Sequence, residues 1–244
     1  MSSNPMLKAE TFERASDLAL EKPMSISGTI NKTVILLMIV IGVAFYAWNI
    51  CATGYADKAN LLVTGGAIAG LILAIISAFK PSSSPITAPA YAICEGFVVG
   101  GVSFAYGKMF NGIVQDAIGI TILALLAMLF LYKTGLVKAT PTFKKVIMIS
   151  TIATGIFYIA GIIGAFLGHP MTIFNGGLLG IGVSLLICAV AAFNFIIDFD
   201  FIEQGSQNNL PNYFEWYGGL SMLITLIWLY FEVLRLLSQF SSRD

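Results

Sequence analysis

Long apolar segments separated by short polar breaks run along most of the chain. A helix that crosses the hydrocarbon core of a bilayer needs about 20 mostly apolar residues, and seven runs of about that length occur. The runs cover residues 32–52, 61–79, 87–107, 112–132, 146–167, 174–197 and 216–237. Turn-forming residues such as Pro81, Ser82 and Pro85 fill the breaks. The pattern predicts an all-α integral membrane protein, a bundle of seven antiparallel transmembrane helices.

The same pattern predicts three regions, with a transmembrane domain at residues 32–237 and a short C-terminal tail at 238–244. Residues 1–31 form an N-terminal tail. Its apolar residues recur at rough helical spacing between charges, which suits either a helix lying on the membrane surface or a solvated, partly ordered tail. The charged residues at the start and the length of the first apolar run argue against a cleaved signal sequence.

Composition agrees with a membrane protein and excludes several function classes. Hydrophobic residues make up 57% of the chain and charged residues 11%, against about a quarter charged in ordinary globular proteins. The 13 basic and 13 acidic residues leave no net charge, so we expect no nucleic-acid binding. Neither the three cysteines nor His169, expected in a loop, shows a metal-binding or catalytic motif. We therefore expect no enzyme activity and no cofactor.

The positions of Lys and Arg predict the orientation, because positively charged loops remain in the cytoplasm. An N-terminus inside places nine basic residues in the cytoplasm and four outside. Seven spans then place the C-terminus outside. A re-entrant last segment would instead return it to the cytoplasm.

Seven acidic residues lie in or beside the predicted spans, where a charged group costs about 2.5–3.5 kcal/mol on insertion scales. Five belong to the cytoplasmic half and two, Asp116 and Glu232, to the outer half. Carboxylates in both halves are what a route for hard cations such as calcium requires. The five residues of the cytoplasmic half are Glu95, Asp198, Asp200, Glu203 and Glu215.

Two carboxylates close together in a low dielectric cannot both ionise cheaply, so a pair would share a proton and respond to pH. Glu203 is placed to share a face with Asp198 or Asp200. Glu203 and Glu215 are alternatively solvated helix ends, and Glu232 alternatively forms an ion pair with Arg235 at i, i+3. For Glu95 and Asp198 we predict a functional role, because ionisable groups inside membranes are usually functional.

Glycines four residues apart predict close contacts between helices. Packing inside the bundle is the main interpretation, and homodimerisation through one such pair is the alternative. The pairs are Gly66/Gly70, Gly96/Gly100 and Gly176/Gly180.

Several motifs along nearly the whole chain resemble the Bax inhibitor-1/YccA-like family, also called the transmembrane Bax-inhibitor-motif family, and most closely a prokaryotic branch. The resemblance implies seven helices with the last one surrounded by the other six, a bacterial inner (plasma) membrane, and a pH-sensitive calcium leak. The motifs are Ser3-Asn4-Pro5, Ile30-Asn31-Lys32-Thr33, Cys94-Glu95-Gly96, the run from Phe195 to Glu203, Glu215-Trp216-Tyr217, and the run from Leu229 to Leu237.

In the better-understood members, an aspartate near the end of helix six pairs with one in helix seven, and loss of their shared proton favours opening. Asp198 matches the first aspartate, whereas Thr225 stands at the second position. The comparison therefore implies that Glu95, Glu203 or Glu215 replaces the missing carboxylate. The predicted gate comprises Asp198, Glu95, Asp200 and Glu203, and the predicted pathway Glu215, Thr225, Asp116 and Glu232.

Two functions follow as hypotheses. The first is a proton-modulated leak for calcium or other cations, with the lipid bilayer, cations and protons as partners. The alternative is a membrane regulator that moves no ion and binds another membrane complex, such as a protease, through its N-terminal tail.

Overall fold

A computed structural model describes residues 23–54, 56–168 and 177–242. Most of the N-terminal tail, with its predicted surface helix, and His169 lie outside these residues. Within the described ranges the chain forms seven α-helices, each long and apolar enough to cross a membrane, which confirms the predicted fold class. They are α1 Ile26–Ala52, α2 Ala56–Phe79, α3 Ser84–Met109, α4 Ile113–Lys133, α5 Pro141–Phe166, α6 Leu178–Gln207 and α7 Tyr213–Ser241, with a 3-10 helix at Pro81–Ser83 before α3.

Several helices extend beyond the apolar runs that predicted them. The first helix begins at Ile26 instead of residue 32. The Ser25 side chain caps this start, because it accepts a hydrogen bond from Gly28 N. The last continues to Ser241, so residues 238–241 are helical. Hydropathy detects only the length that matches the bilayer, whereas a capping side chain such as Ser25 determines where α1 begins.

The last helix, α7, is the central one. It packs against α1, α3, α4 and α6. Of the residues in its most apolar segment of 18 residues, 56% are buried, against 11% in the peripheral α5. The resemblance implied that all six other helices surround α7. Instead, α2 packs mainly against α3, and α5 packs mainly against α6.

The glycine pairs explain the close packing of α1, α2 and α3. A Cβ added at Gly66 would lie 2.6 Å from the Cys94 carbonyl oxygen, and one at Gly100 would lie 2.3 Å from the Ala44 carbonyl oxygen. These glycines therefore let helix backbones approach inside the bundle, as the main interpretation predicted. Gly176 lies outside the described residues.

The two ends of the bundle are distinct. We call the end that carries Ser25 and the α6–α7 connection the proximal end, and the opposite one the distal end. At the proximal end Met24 N donates to the Leu210 carbonyl oxygen at 2.7 Å, and at the distal end Ser184 Oγ donates to Gln239 Oε1 at 3.0 Å. Helix α7 runs from the proximal to the distal end as one continuous helix.

Candidate functional site

Asp198 lies between α6 and the central helix α7 and is 7% exposed. Ser221 Oγ donates a hydrogen bond to its Oδ1 at 2.6 Å, and Thr225 Oγ1 donates to its Oδ2 at 2.7 Å. Ser221 and Thr225 are four residues apart, so they occupy one face of α7. Thr225 is twelve residues from the proximal start of α7, a depth of about 18 Å at the rise of an α-helix. We call Asp198, Ser221 and Thr225 the Asp198 site.

Hydroxyl groups therefore occupy the position where the family resemblance implied a second carboxylate. The resemblance to the family had already placed Thr225 at the position of the second aspartate. Ser221 was missed as a partner of Asp198, although its i, i+4 spacing from Thr225 signals the shared face. None of the three candidate replacements, Glu95, Glu203 and Glu215, hydrogen-bonds Asp198, because each has a different partner in the described structure.

The oxygen atoms of the Asp198 site are of the kind that accept protons and ligate hard cations. A buried carboxylate is costly unless charge or hydrogen bonds compensate it, and the ion pairs seen in the described ranges do not involve Asp198. Two carboxylate and two hydroxyl oxygens fall short of the 6–8 oxygen ligands that calcium takes. The described residues contain no cluster of three or more His, Cys, Asp or Glu able to hold a metal ion.

The other acidic residues of α6 point to other helices. Asp200 forms an ion pair with Lys144 of α5 and accepts a hydrogen bond from Gln204 Nε2 at 2.7 Å. Glu203 accepts a hydrogen bond from the Tyr132 hydroxyl of α4. The expected sharing of a proton between Glu203 and Asp198 or Asp200 is thus not what the structure shows, because each carboxylate faces a different neighbour.

Glu215 is buried, 4% exposed, so its interpretation as a solvated helix end is wrong. Its Oε1 accepts hydrogen bonds from Ser25 N at 3.0 Å and from Ser25 Oγ at 2.9 Å. Ser25 is the N-cap of α1, and the N-terminus of a helix favours a negative charge. Glu215 therefore joins the start of α7 to the start of α1.

Glu232 forms the ion pair with Arg235 that its spacing predicted, at 2.6 Å. It also accepts hydrogen bonds from Trp228 Nε1 at 3.1 Å and from the Tyr158 hydroxyl of α5. Asp116, by contrast, is exposed in the first turn of α4. The two acidic residues of the distal half are therefore in unlike surroundings, one buried in an ion pair and one on the outside of the bundle.

Glu95 belongs to the interface of α2 and α3. It is partly buried and accepts a hydrogen bond from the Tyr91 hydroxyl at 3.2 Å. A Cβ added at Gly70 of α2 would lie 3.8 Å from its Oε2. These contacts of Glu95 are with α2 and with its own helix, whereas Asp198 lies at the contact of α6 and α7.

Comparisons with known proteins give one match. No curated protein and no solved structure matches the chain. A sequence profile of the family described as Bax inhibitor 1 like matches residues 4–242, nearly the whole length. On that evidence, this seven-helix membrane protein belongs to the Bax inhibitor 1 like family.

Proposed function

We propose that the protein is a passive, proton-modulated pathway for cations, calcium foremost, with the Asp198 site as its gate. The observation that supports this most is a buried carboxyl group held to the central helix by two neutral hydroxyls. We further propose a bacterial inner membrane, with the proximal end in the cytoplasm, because positively charged loops favour that side.

The gate responds to protonation through the contact between α6 and α7. When Asp198 carries a proton it is neutral, and the closed packing around it costs little. When the proton leaves to water at the proximal end, the charged group is stabilised by water or a cation, so a conformation that admits them is favoured. The open state then binds fewer protons than the closed state, and cation flux rises with pH.

A cavity at the proximal end is suited to act as the entrance. Its volume is about 270 Å³, and its wall includes Ile197, next to Asp198 in the chain, and Phe201. The ion pair of Lys144 and Asp200 lies in the same wall. A cation that approaches Asp200 competes with Lys144 for the carboxylate, which brings the cation within two residues of Asp198, about 3 Å along the axis of α6.

Flux in liposomes tests the gate. Asp198→Asn keeps the shape of the side chain and removes its charge, so we expect flux to fall at least about tenfold at high pH, a barrier change of about 1.4 kcal/mol. The pH dependence should disappear with it. The matched control is Asp57→Asn, because Asp57 is an exposed aspartate in the first turn of α2 and belongs to neither the predicted gate nor the predicted pathway, and its flux should equal that of the unmodified protein.

Equal flux and equal pH dependence in Asp198→Asn and the unmodified protein would refute the gate. A protein that moves no cation at any pH would refute the pathway itself. In that case the alternative role as a membrane regulator gains support if deletion of residues 1–22 abolishes binding to a membrane complex.

A further inference from the structure

A stripe of polar side chains follows one face of α3 from the proximal end into the middle of the bundle. Ser84, Thr87, Tyr91 and Glu95 are spaced by three, four and four residues, which places them on one side of a helix. Glu95 lies eleven residues beyond Ser84, about 16 Å deeper along the helix axis. The stripe thus joins the proximal end to a carboxyl group at the depth of the membrane interior.

Helix α2 lines the same stripe with small and polar groups. Ser77 Oγ and Thr87 Oγ1 are 2.6 Å apart, and both side chains are buried. Thr87 Oγ1 also donates to the Ser83 carbonyl oxygen at 3.1 Å, so Ser77 is the donor in the hydroxyl pair. Deeper along the stripe, Gly70 faces Glu95 and leaves room for its carboxylate.

Ser84 gives a second and independent observation. Its side chain is completely buried, and among the described residues its hydroxyl makes no hydrogen bond. Buried hydroxyls nearly always have a partner, either a protein group or a bound water. The Ser84 hydroxyl therefore has unused hydrogen-bonding capacity that suits it to bind a water molecule at the proximal end of the stripe.

Few charged groups surround Glu95. The titratable side chains next to it are Tyr91 and Cys94 of its own helix. The helices packed on that side, α1 and α2, carry charges only in their first two turns, at Lys32, Asp57 and Lys58. The ion pairs of the described ranges do not include Glu95, so a proton is the simplest group to neutralise it.

We propose that Glu95 is a proton-binding site independent of the Asp198 site, and that the α2–α3 stripe conducts its proton from the proximal end. Ser84 and Thr87 are about 4.5 Å apart along the axis of α3, and Thr87 and Tyr91 about 6 Å, so single waters bridge the hydroxyls of these three residues. Each hydroxyl accepts one proton and releases another. The proton given up by hydronium at the proximal surface ends on the Glu95 carboxylate, which becomes a neutral carboxylic acid.

Infrared difference spectra of the reconstituted protein, recorded between about pH 5 and about pH 9, test the site through the C=O band of a protonated carboxyl group. We expect one such band to be absent in Glu95→Gln and present in Asp198→Asn. A full set of bands in Glu95→Gln would overturn the proposal. This readout requires no cation flux, so it remains decisive even if the proposed pathway fails.

The route is tested by the rate at which that band appears after acid is added on the proximal side. Ser84→Ala and Thr87→Val should slow its appearance at least about tenfold, equivalent to about 1.4 kcal/mol of barrier. Thr87→Ser, which retains the hydroxyl, should keep the original rate. Thr121→Val is the matched control, because the Thr121 hydroxyl bonds the Ala117 carbonyl within α4. Unchanged rates in both Ser84→Ala and Thr87→Val would refute the route.

Discussion

Gly28 lies where the Glu215 carboxylate enters the first turn of α1. A Cβ at this position would lie 1.9 Å from Glu215 Oε1. The carboxylate would then have to move and would lose both hydrogen bonds from Ser25. The contact between the starts of α1 and α7 thus requires glycine at position 28, because any side chain larger than hydrogen would displace the Glu215 carboxylate.

Gly28→Ala should therefore lower the free energy of unfolding by about 1.5–3 kcal/mol, the range for hydrogen bonds to a charged group. Thermal unfolding in detergent measures the change. Gly42→Ala in the same helix is the control, because a Cβ there meets nothing within 4 Å. It should be neutral or gain up to about 1 kcal/mol from helix propensity. Equal stability of the two variants would contradict the role of Gly28.

Among the helices, α5 depends on few contacts. It packs mainly against α6, and it reaches the central helix through the Tyr158 hydroxyl, which donates to Glu232. The Arg235 guanidinium lies 5.1 Å from the centre of the Tyr158 ring. The buried ion pair of Glu232 and Arg235 thus also positions the peripheral helix.

Removal of one partner of a buried ion pair leaves the other charge uncompensated, at a cost of about 3–5 kcal/mol. Arg235→Gln should therefore destabilise the protein strongly in thermal or denaturant unfolding. The double variant Glu232→Gln/Arg235→Gln should recover part of that loss, since neither charge remains. A double variant less stable than Arg235→Gln would show that the charge of Glu232 is not what destabilises the single variant.

Across the whole molecule, alternate connections emerge at opposite ends of the bundle. The α2–α3 connection, with the exposed Lys80, belongs to the proximal end, and the α3–α4 connection, with the exposed Asn111, to the distal end. The fold by itself does not distinguish inside from outside. The basic residues predict the orientation, because positively charged loops resist transfer across the membrane.

Cysteine labelling in intact cells tests this orientation. With the three native cysteines replaced by alanine, Asn111→Cys should react with a membrane-impermeant maleimide and Lys80→Cys should not. Permeabilised cells provide the control, in which both positions should react. The opposite labelling pattern in intact cells would invert the predicted orientation and place the Asp198 entrance outside the cytoplasm.

Much of the architecture was predictable because bilayer thickness acts on each segment separately. An apolar run of about 20 residues indicates a span wherever it occurs, so the number and order of the helices follow from local sequence. The ion pair of Glu232 and Arg235 was predictable for the same reason, since both residues lie on one helix three positions apart. The glycine pairs likewise indicated close packing without revealing which helices they join.

Contacts between helices were not predictable in this way. The sequence by itself determined that this is a seven-helix membrane protein with acidic residues in its spans, because hydropathy and helical periodicity are local properties. Only the tertiary structure decided that Asp198 meets Ser221 and Thr225, that Glu215 caps the start of α1, and that Glu95 faces α2. Periodicity shows which residues of one helix share a face, whereas the packing of the whole bundle selects the neighbour that covers that face.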